Sequence, residues 1–391
     1  MNPLLVSGHG VSITVNRACL TVCNTESKNE FKPHQIPYDS IIIDGHYGNI
    51  SFEAIRWLMK HDILVSVLNW NGNLLSTILP KEPLNGELKI KQYQKYLDKE
   101  ERIRIAKTAI EEKVRKSQNM LSELSAYYPE VNMKALQRET EFDSKDDLLD
   151  IMMHEGRIAS AYWSELSKIF NKLYPGFHFE TRKNKSYSWN MNASDPINAL
   201  LNYSYALLES IIRKHVNAIG LDPTIGFLHE LAKSKMPLVY DIQELFRWAS
   251  DLSLIQLLED KKLKKTSFIL TENYHIRLKS ETSMQLIDKF RLNMNRKYPF
   301  KDKQYALETI VFENIKKLAN YVSGNSKTLD LKSPDFTIEH IDSEMKDRIL
   351  TMTPEERKAK KINKSTLWYQ KKMLNQGKAL KVYDKVRVKI E

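Results

Sequence analysis

Two cysteines in 391 residues leave no room for a disulfide framework. Cys19 and Cys23 on a single strand would stand roughly 13 Å apart, beyond the reach of a bond between them. No second pair exists to complete a zinc cluster, so both are expected as small buried hydrophobes in a reducing cell. The chain also has no uninterrupted run approaching 18 apolar residues and no charged-then-apolar leader before Leu4. Neither a membrane span nor secretion is expected, and the compartment reads as cytoplasmic. Residues 92–124 lack glycine and proline altogether, and their charged and apolar residues recur at helical spacing.

What is present is charge, unevenly placed. Residues 346–391 hold 14 Lys and Arg against 5 Asp and Glu, so +9 of the net +11 lies there and the other 345 residues carry only +2. A basic appendage on a nearly balanced body points to a polyanion partner. At this length, with 42% hydrophobic residues, two or three folded units are expected.

The first 80 residues read as mainly strand. VSITVNRACLTVC, IPYDSIIID and ILVSVLN are rich in β-branched residues, and Asn71-Gly72 between VSVLNW and NLLSTIL marks a hairpin. Ser51 caps one helix, FEAIRWLMKH. Pro80, Pro83 and Asn85-Gly86 place a linker at 81–90. A larger all-α domain is expected over 91–335: one long charge-laced helix from 92, an acidic loop at EFDSKDDLLD with Ser144 as a cap, and helices near 252–258, 283–294 and 304–322. Asp330 to Pro334 reads as the exit from this body.

The centre of the chain is Asp195 to Trp248. Asp195 before Pro196 starts a helix that Gly220 ends. Asp222-Pro223 restarts the chain into a short helical piece carrying His229, and after Pro237 a third helix places Asp241 and Glu244 on one face. An imidazole and carboxylates on neighbouring helices suit a hard or borderline divalent cation, although histidines near apolar residues usually just pack. Between the helices, Arg182, Lys183, Lys185, Tyr187 and Trp189 suit either a phosphate backbone and a splayed base or a loop packed on the core.

LNYSYALLES, GLDPTIGFLHE and LVYDIQELFRW closely resemble the signature blocks of the CRISPR-associated adaptation integrases. HEGRIASAYW resembles the family's Glu-Gly-x-x-Ala-x-x-Tyr-Trp context, with Ile158 between Arg157 and Ala159. The resemblance runs from about Val6 to Leu331. It implies that Glu155, His229 and Glu244 hold Mg2+ or Mn2+, with Asp241 as an auxiliary ligand, and that the strand-rich domain forms a homodimer. It also implies an endonuclease that joins 3′-OH ends of double-stranded DNA into target DNA, aided by a small adaptation partner protein. The casposases, mobile-element transposases that resemble the same family and carry a DNA-reading C-terminal domain, are an alternative. A non-catalytic basic DNA-binding protein is a third. Arg157 and Arg247, near ligands in sequence, are candidate phosphate clamps; Lys233 and Lys235 are weaker ones.

In the tail, Thr353 and Glu356 form a capping box, Ile362-Asn363 a turn, and KSTLWYQKKMLNQ a second helix. This resembles a helix-turn-helix reader, with Lys364, Ser365, Thr366, Trp368 and Tyr369 at the DNA. The expectation is thus an α+β chain: domain 1–80, linker 81–90, catalytic domain 91–335 and a basic tail 346–391.

Overall fold

The protein is described from a computed structural model, over residues 1–391 except 26, 46, 70, 71, 81–84, 137–146, 183–192, 194, 232–234, 272–275, 339–347 and 376–391. The expected hairpin residue Asn71, the linker residues 81–84, the cap Ser144, and Lys183, Lys185, Tyr187, Trp189 and Lys233 lie outside the described residues.

Two four-stranded sheets open the chain. One orders β1 (Pro3–Val6), β5 (Ser40–Ile43), β7 (Leu64–Leu68) and β8 (Leu74–Ile78), the first three parallel and the last antiparallel. The other orders β4 (Lys28–Phe31), β3 (Cys19–Cys23), β2 (Val11–Asn16) and β6 (Gly48–Ile50). VSITVNRACLTVC is therefore a hairpin, turned at Arg17 and Ala18 with φ of 48° and 65°, a left-handed pair formed here without glycine. Helix α1 (Phe52–Lys60) starts as expected, with Ser51 Oγ accepting from the Ala54 N–H at 3.1 Å. Its Ala54, Trp57 and Leu58 close a core with Ile13, Leu20, Val22, Ile41 and Val65.

The long charge-laced stretch is two helices rather than one, α2 (Gly86–Leu97) and α3 (Lys99–Ser125). Asp98 makes the break because its carboxylate accepts from the Glu100 and Glu101 N–H groups, which a continuous helix would not leave open. Helix α2 begins inside the expected 81–90 linker. Helix α4 (Leu148–Leu173) is capped by Asp147, whose carboxylate and that of Asp150 form a reciprocal box.

Helix α5 (Pro196–Ile219) is the hub. Asp195 Oδ1 accepts from Asn198 N at 2.8 Å at its start, and Gly220, with φ of 103°, ends it in the left-handed conformation only glycine adopts without strain. It packs against β7 and β8, and Ser66 and Ser210 are hydrogen-bonded at 2.7 Å between sheet and helix. It also packs against α6 (Pro237–Glu244), α8 (Ser280–Asn295) and α9 (Leu307–Val322). Helix α7 (Arg247–Glu259) follows α6 almost directly.

The expected all-α domain is only mostly helical. Hairpins β9 (Phe268–Leu270) with β10 (Ile276–Leu278), and β11 (Lys297–Phe300) with β12 (Lys303–Ala306), interrupt it. Their runs are three or four residues long, too short to show alternation by themselves. Residues 1–258 with 262–335 form one compact unit, and 259–261 with 336–391 a second. In the second, α10 (Pro354–Ala359) carries the Thr353–Glu356 capping box and α11 (Lys364–Asn375) follows a tight turn at Lys361, with φ of 50°. No helix among the described residues is long and apolar enough to cross a membrane.

Candidate metal and nucleic-acid site

Three helices bring two acids onto one cation. Glu155 projects from α4, Glu244 ends α6, and Lys113 of α3 reaches both: its Nζ hydrogen-bonds Glu155 and stands 2.6 Å from Glu244 Oε2. The depth is graded, with Glu244 4% exposed, Lys113 14% and Glu155 28%, so the pair runs from the interior to an open mouth. The other Glu244 oxygen accepts from Arg247 Nη1 at 2.7 Å. Burial works against the charged form of Glu244, but Arg247, then Lys113 and His229, outweigh it and hold its carboxyl well below the usual carboxylate range.

His229 does not sit on a short helix as expected. The described residues of 221–236 are irregular, with a turn at 223–224 and a bend at 227–229, and none is helical. Asp222 holds the loop by accepting from the Thr224 N–H and Oγ1, so its backbone bonds are made locally rather than along a helix. Asp241 fixes the histidine, accepting from Leu228 N and His229 N at 3.0 Å each, from Phe227 N, and facing His229 Nδ1 at 2.8 Å. The approach is close enough that a Cβ on Gly226 would lie 2.6 Å from Pro237 Cβ and 2.9 Å from Asp241 Oδ2. Burial lowers the affinity of the His229 ring for a proton, but its bond to Asp241 and the charges of Asp241 and Glu244 prevail and raise its pKa.

Behind Glu244 lies a buried aromatic and acid network. Asp251 accepts from Tyr205 Oη at 2.6 Å and Tyr162 Oη at 2.9 Å, and the Arg247 and Arg182 guanidinium groups lie over the Tyr205 ring at 4.4 and 5.2 Å from its centroid. Arg247 is thereby held between Glu244 and Tyr205. Arg182 donates to Asn198 Oδ1 at 2.7 Å and Asn202 Oδ1 at 2.9 Å, which places its guanidinium in the fold. Arg157 is exposed, one helical turn from His154, with which it shares a 3.0 Å contact; Lys235 is exposed. In the second unit Lys364, Ser365, Trp368 and Tyr369 are exposed and Thr366 is half-buried, with Lys372 Nζ 4.9 Å from the Trp368 ring centroid.

Among the described residues, no three His, Cys, Asp or Glu side chains stand together as a metal-holding group. The donor types nonetheless suit a divalent cation. Glu244 Oε2 is buried against the Lys113 ammonium at 2.6 Å, so the acid pair stands where a positive charge is already held. Sequence reasoning missed Lys113. The only signal was a lysine between the apolar positions Ile110 and Val114, easily read as part of a solvated stripe.

The family model described as CRISPR associated protein Cas1 matches residues 4–291. The CRISPR-associated endonuclease Cas1 of Korarchaeum cryptofilum is 25% identical over 345 residues, covering 83% of this chain and 95% of that protein. A CRISPR-associated endonuclease Cas1 of Thermodesulfovibrio yellowstonii is 32% identical over 241 residues, covering 58% and 71%. Among solved structures, a casposase bound to integration product is 38% identical, with a TM-score of 0.80 over 90% of this chain and 99% of that one. A Cas1 protein from Thermotoga maritima, 20% identical with a TM-score of 0.67 over 86% and 99%, shares the fold.

Proposed function

The chain belongs to the Cas1 family of CRISPR-associated proteins, and on that premise we propose that it is a divalent-metal-dependent DNA integrase and endonuclease. It joins 3′-OH ends of double-stranded DNA into target DNA by transesterification. The observation that carries the reading is the convergence of Glu155 and Glu244, from two separate helices, on a single positive charge. Glu155, His229 and Glu244 would hold Mg2+ or Mn2+. Such a cation, when bound, polarises a phosphate and favours the ionised form of the attacking oxygen.

The remaining residues position and steer. Asp241 locks the His229 ring and its loop, which favours an orienting role over direct ligation. Arg247 fixes the Glu244 carboxylate from the side away from Lys113. Arg157, exposed on the helix of Glu155, would meet a phosphate backbone. The strand-rich first 80 residues would pair two copies. The +9 tail would grip DNA, with the helix opening at Lys364 reading it in the manner of a helix-turn-helix.

Two substrates compete for this chemistry. The casposase likeness, at higher identity and over nearly all of that chain, supports integration of casposon ends. Spacer acquisition beside a small partner protein is the second reading, supported by the match to Cas1 endonucleases. The test is joining of labelled duplexes to supercoiled plasmid with Mg2+ or Mn2+. Joined product that EDTA abolishes supports the reading, and product formed only with transposon-type terminal repeats selects the casposase branch.

A further inference from the structure

The Glu155–Glu244 gap already holds a cation, and it belongs to the protein. Lys113 bridges the two acids, hydrogen-bonded to Glu155 and in ion contact with Glu244 Oε2 at 2.6 Å, so its ammonium stands where a divalent cation would meet the same two carboxylates. The opposite oxygen of Glu244 stays with Arg247. A buried carboxylate stripped of its partner is heavily penalised, and Lys113 removes that penalty in the metal-free chain. Its stem is a flexible four-carbon chain, 14% exposed, and Glu155 at 28% marks the open side toward which it can swing.

From this geometry we propose that Lys113 and a divalent cation exchange for one another between Glu155 and Glu244. The inference rests on the metal-dependent reading above and adds a residue that reading does not use. Without metal the ammonium holds the acids together and keeps α3, α4 and α6 in register. With metal the ammonium leaves for the mouth, where its charge faces a DNA phosphate. The exchange accounts for the lack of a three-ligand group among the described residues, since Lys113 takes the space between two of the acids.

Mn2+ binding by calorimetry and melting temperature in EDTA, on the full chain, test it. Lys113→Met should bind Mn2+ at least about tenfold more tightly than wild type, because a unit charge within a few ångström of the site is gone. It should melt lower in EDTA and gain more from Mn2+ than wild type does. Lys113→Arg, which keeps the charge, should bind no more tightly than wild type. A Lys113→Met protein that binds Mn2+ no better than wild type overturns the exchange, as does one that Mn2+ fails to stabilise or refold. If neither wild type nor Lys113→Met binds Mn2+, the metal reading itself fails and the exchange with it.

Discussion

Asp241 accepts the backbone N–H of His229 at 3.0 Å and faces its ring Nδ1 at 2.8 Å, so one carboxylate sets both the position of the loop and the rotation of the imidazole. With Nδ1 engaged, Nε2 is left as the nitrogen for other work. Asp241→Ala should therefore lower strand joining by about 10- to 100-fold, less than loss of Glu155, His229 or Glu244. It should also lower stability, because three backbone N–H groups lose their acceptor at about 1–3 kcal/mol each. Joining rates and melting temperatures measured together check both halves, and an unchanged rate would contradict the orienting role.

The grip of Arg182 on Asn198 and Asn202 predicts a structural variant. Arg182→Ala should cost about 1–3 kcal/mol in denaturant unfolding while leaving the affinity for a short duplex within twofold of wild type below the melting range. A large loss of DNA affinity with unchanged stability would move Arg182 to the DNA surface.

Glu244 sets an acid limit. Its folded pKa lies below the ordinary carboxylate value of about 4.3, so its charged form adds stability that is present above that value and lost as pH falls below it. Metal-free wild type should thus lose melting temperature more steeply from about pH 5 downward than Glu244→Gln does. Parallel slopes would show that Arg247 and Lys113 do not stabilise the charged form.

The tail should bind without doing chemistry. Deleting residues 346–391 should flatten the dependence of log affinity on log salt by about 3 to 4, the value for some four phosphate contacts. Equal slopes for the intact and shortened chains would make the tail a bystander.

The central helix was legible because its signals are local: Asp195 and Pro196 start α5 and Gly220 stops it, and Ser51 and the Thr353–Glu356 pair announce their helices in the same way. Glu155, His229 and Glu244 were named from family motifs, and the structure brings Glu155 and Glu244 together at Lys113. What escaped depends on partners distant in sequence. Lys113 has its meaning only when α3 packs against α4 and α6, and nothing within its own helix distinguishes it in sequence from Lys107 or Lys116. The loop of His229 takes its shape from Asp241, twelve residues on, and a helix there would have left that carboxylate without its three backbone donors. Arg17 and Ala18 make a tight turn because β2 and β3 pair on either side, overriding the residues' own preference.

Metal-dependent joining requires Glu155, His229 and Glu244 to act as one centre. The direct measurement is joining of a 3′-OH duplex to supercoiled plasmid in Mn2+ by wild type and by Glu155→Ala, His229→Ala and Glu244→Ala, each with duplex affinity measured in parallel. All three variants should lose joining by at least about 100-fold while duplex binding stays close to wild type, since phosphate contacts elsewhere supply most of the affinity. Joining near the wild-type rate in any one of the three would contradict the assignment.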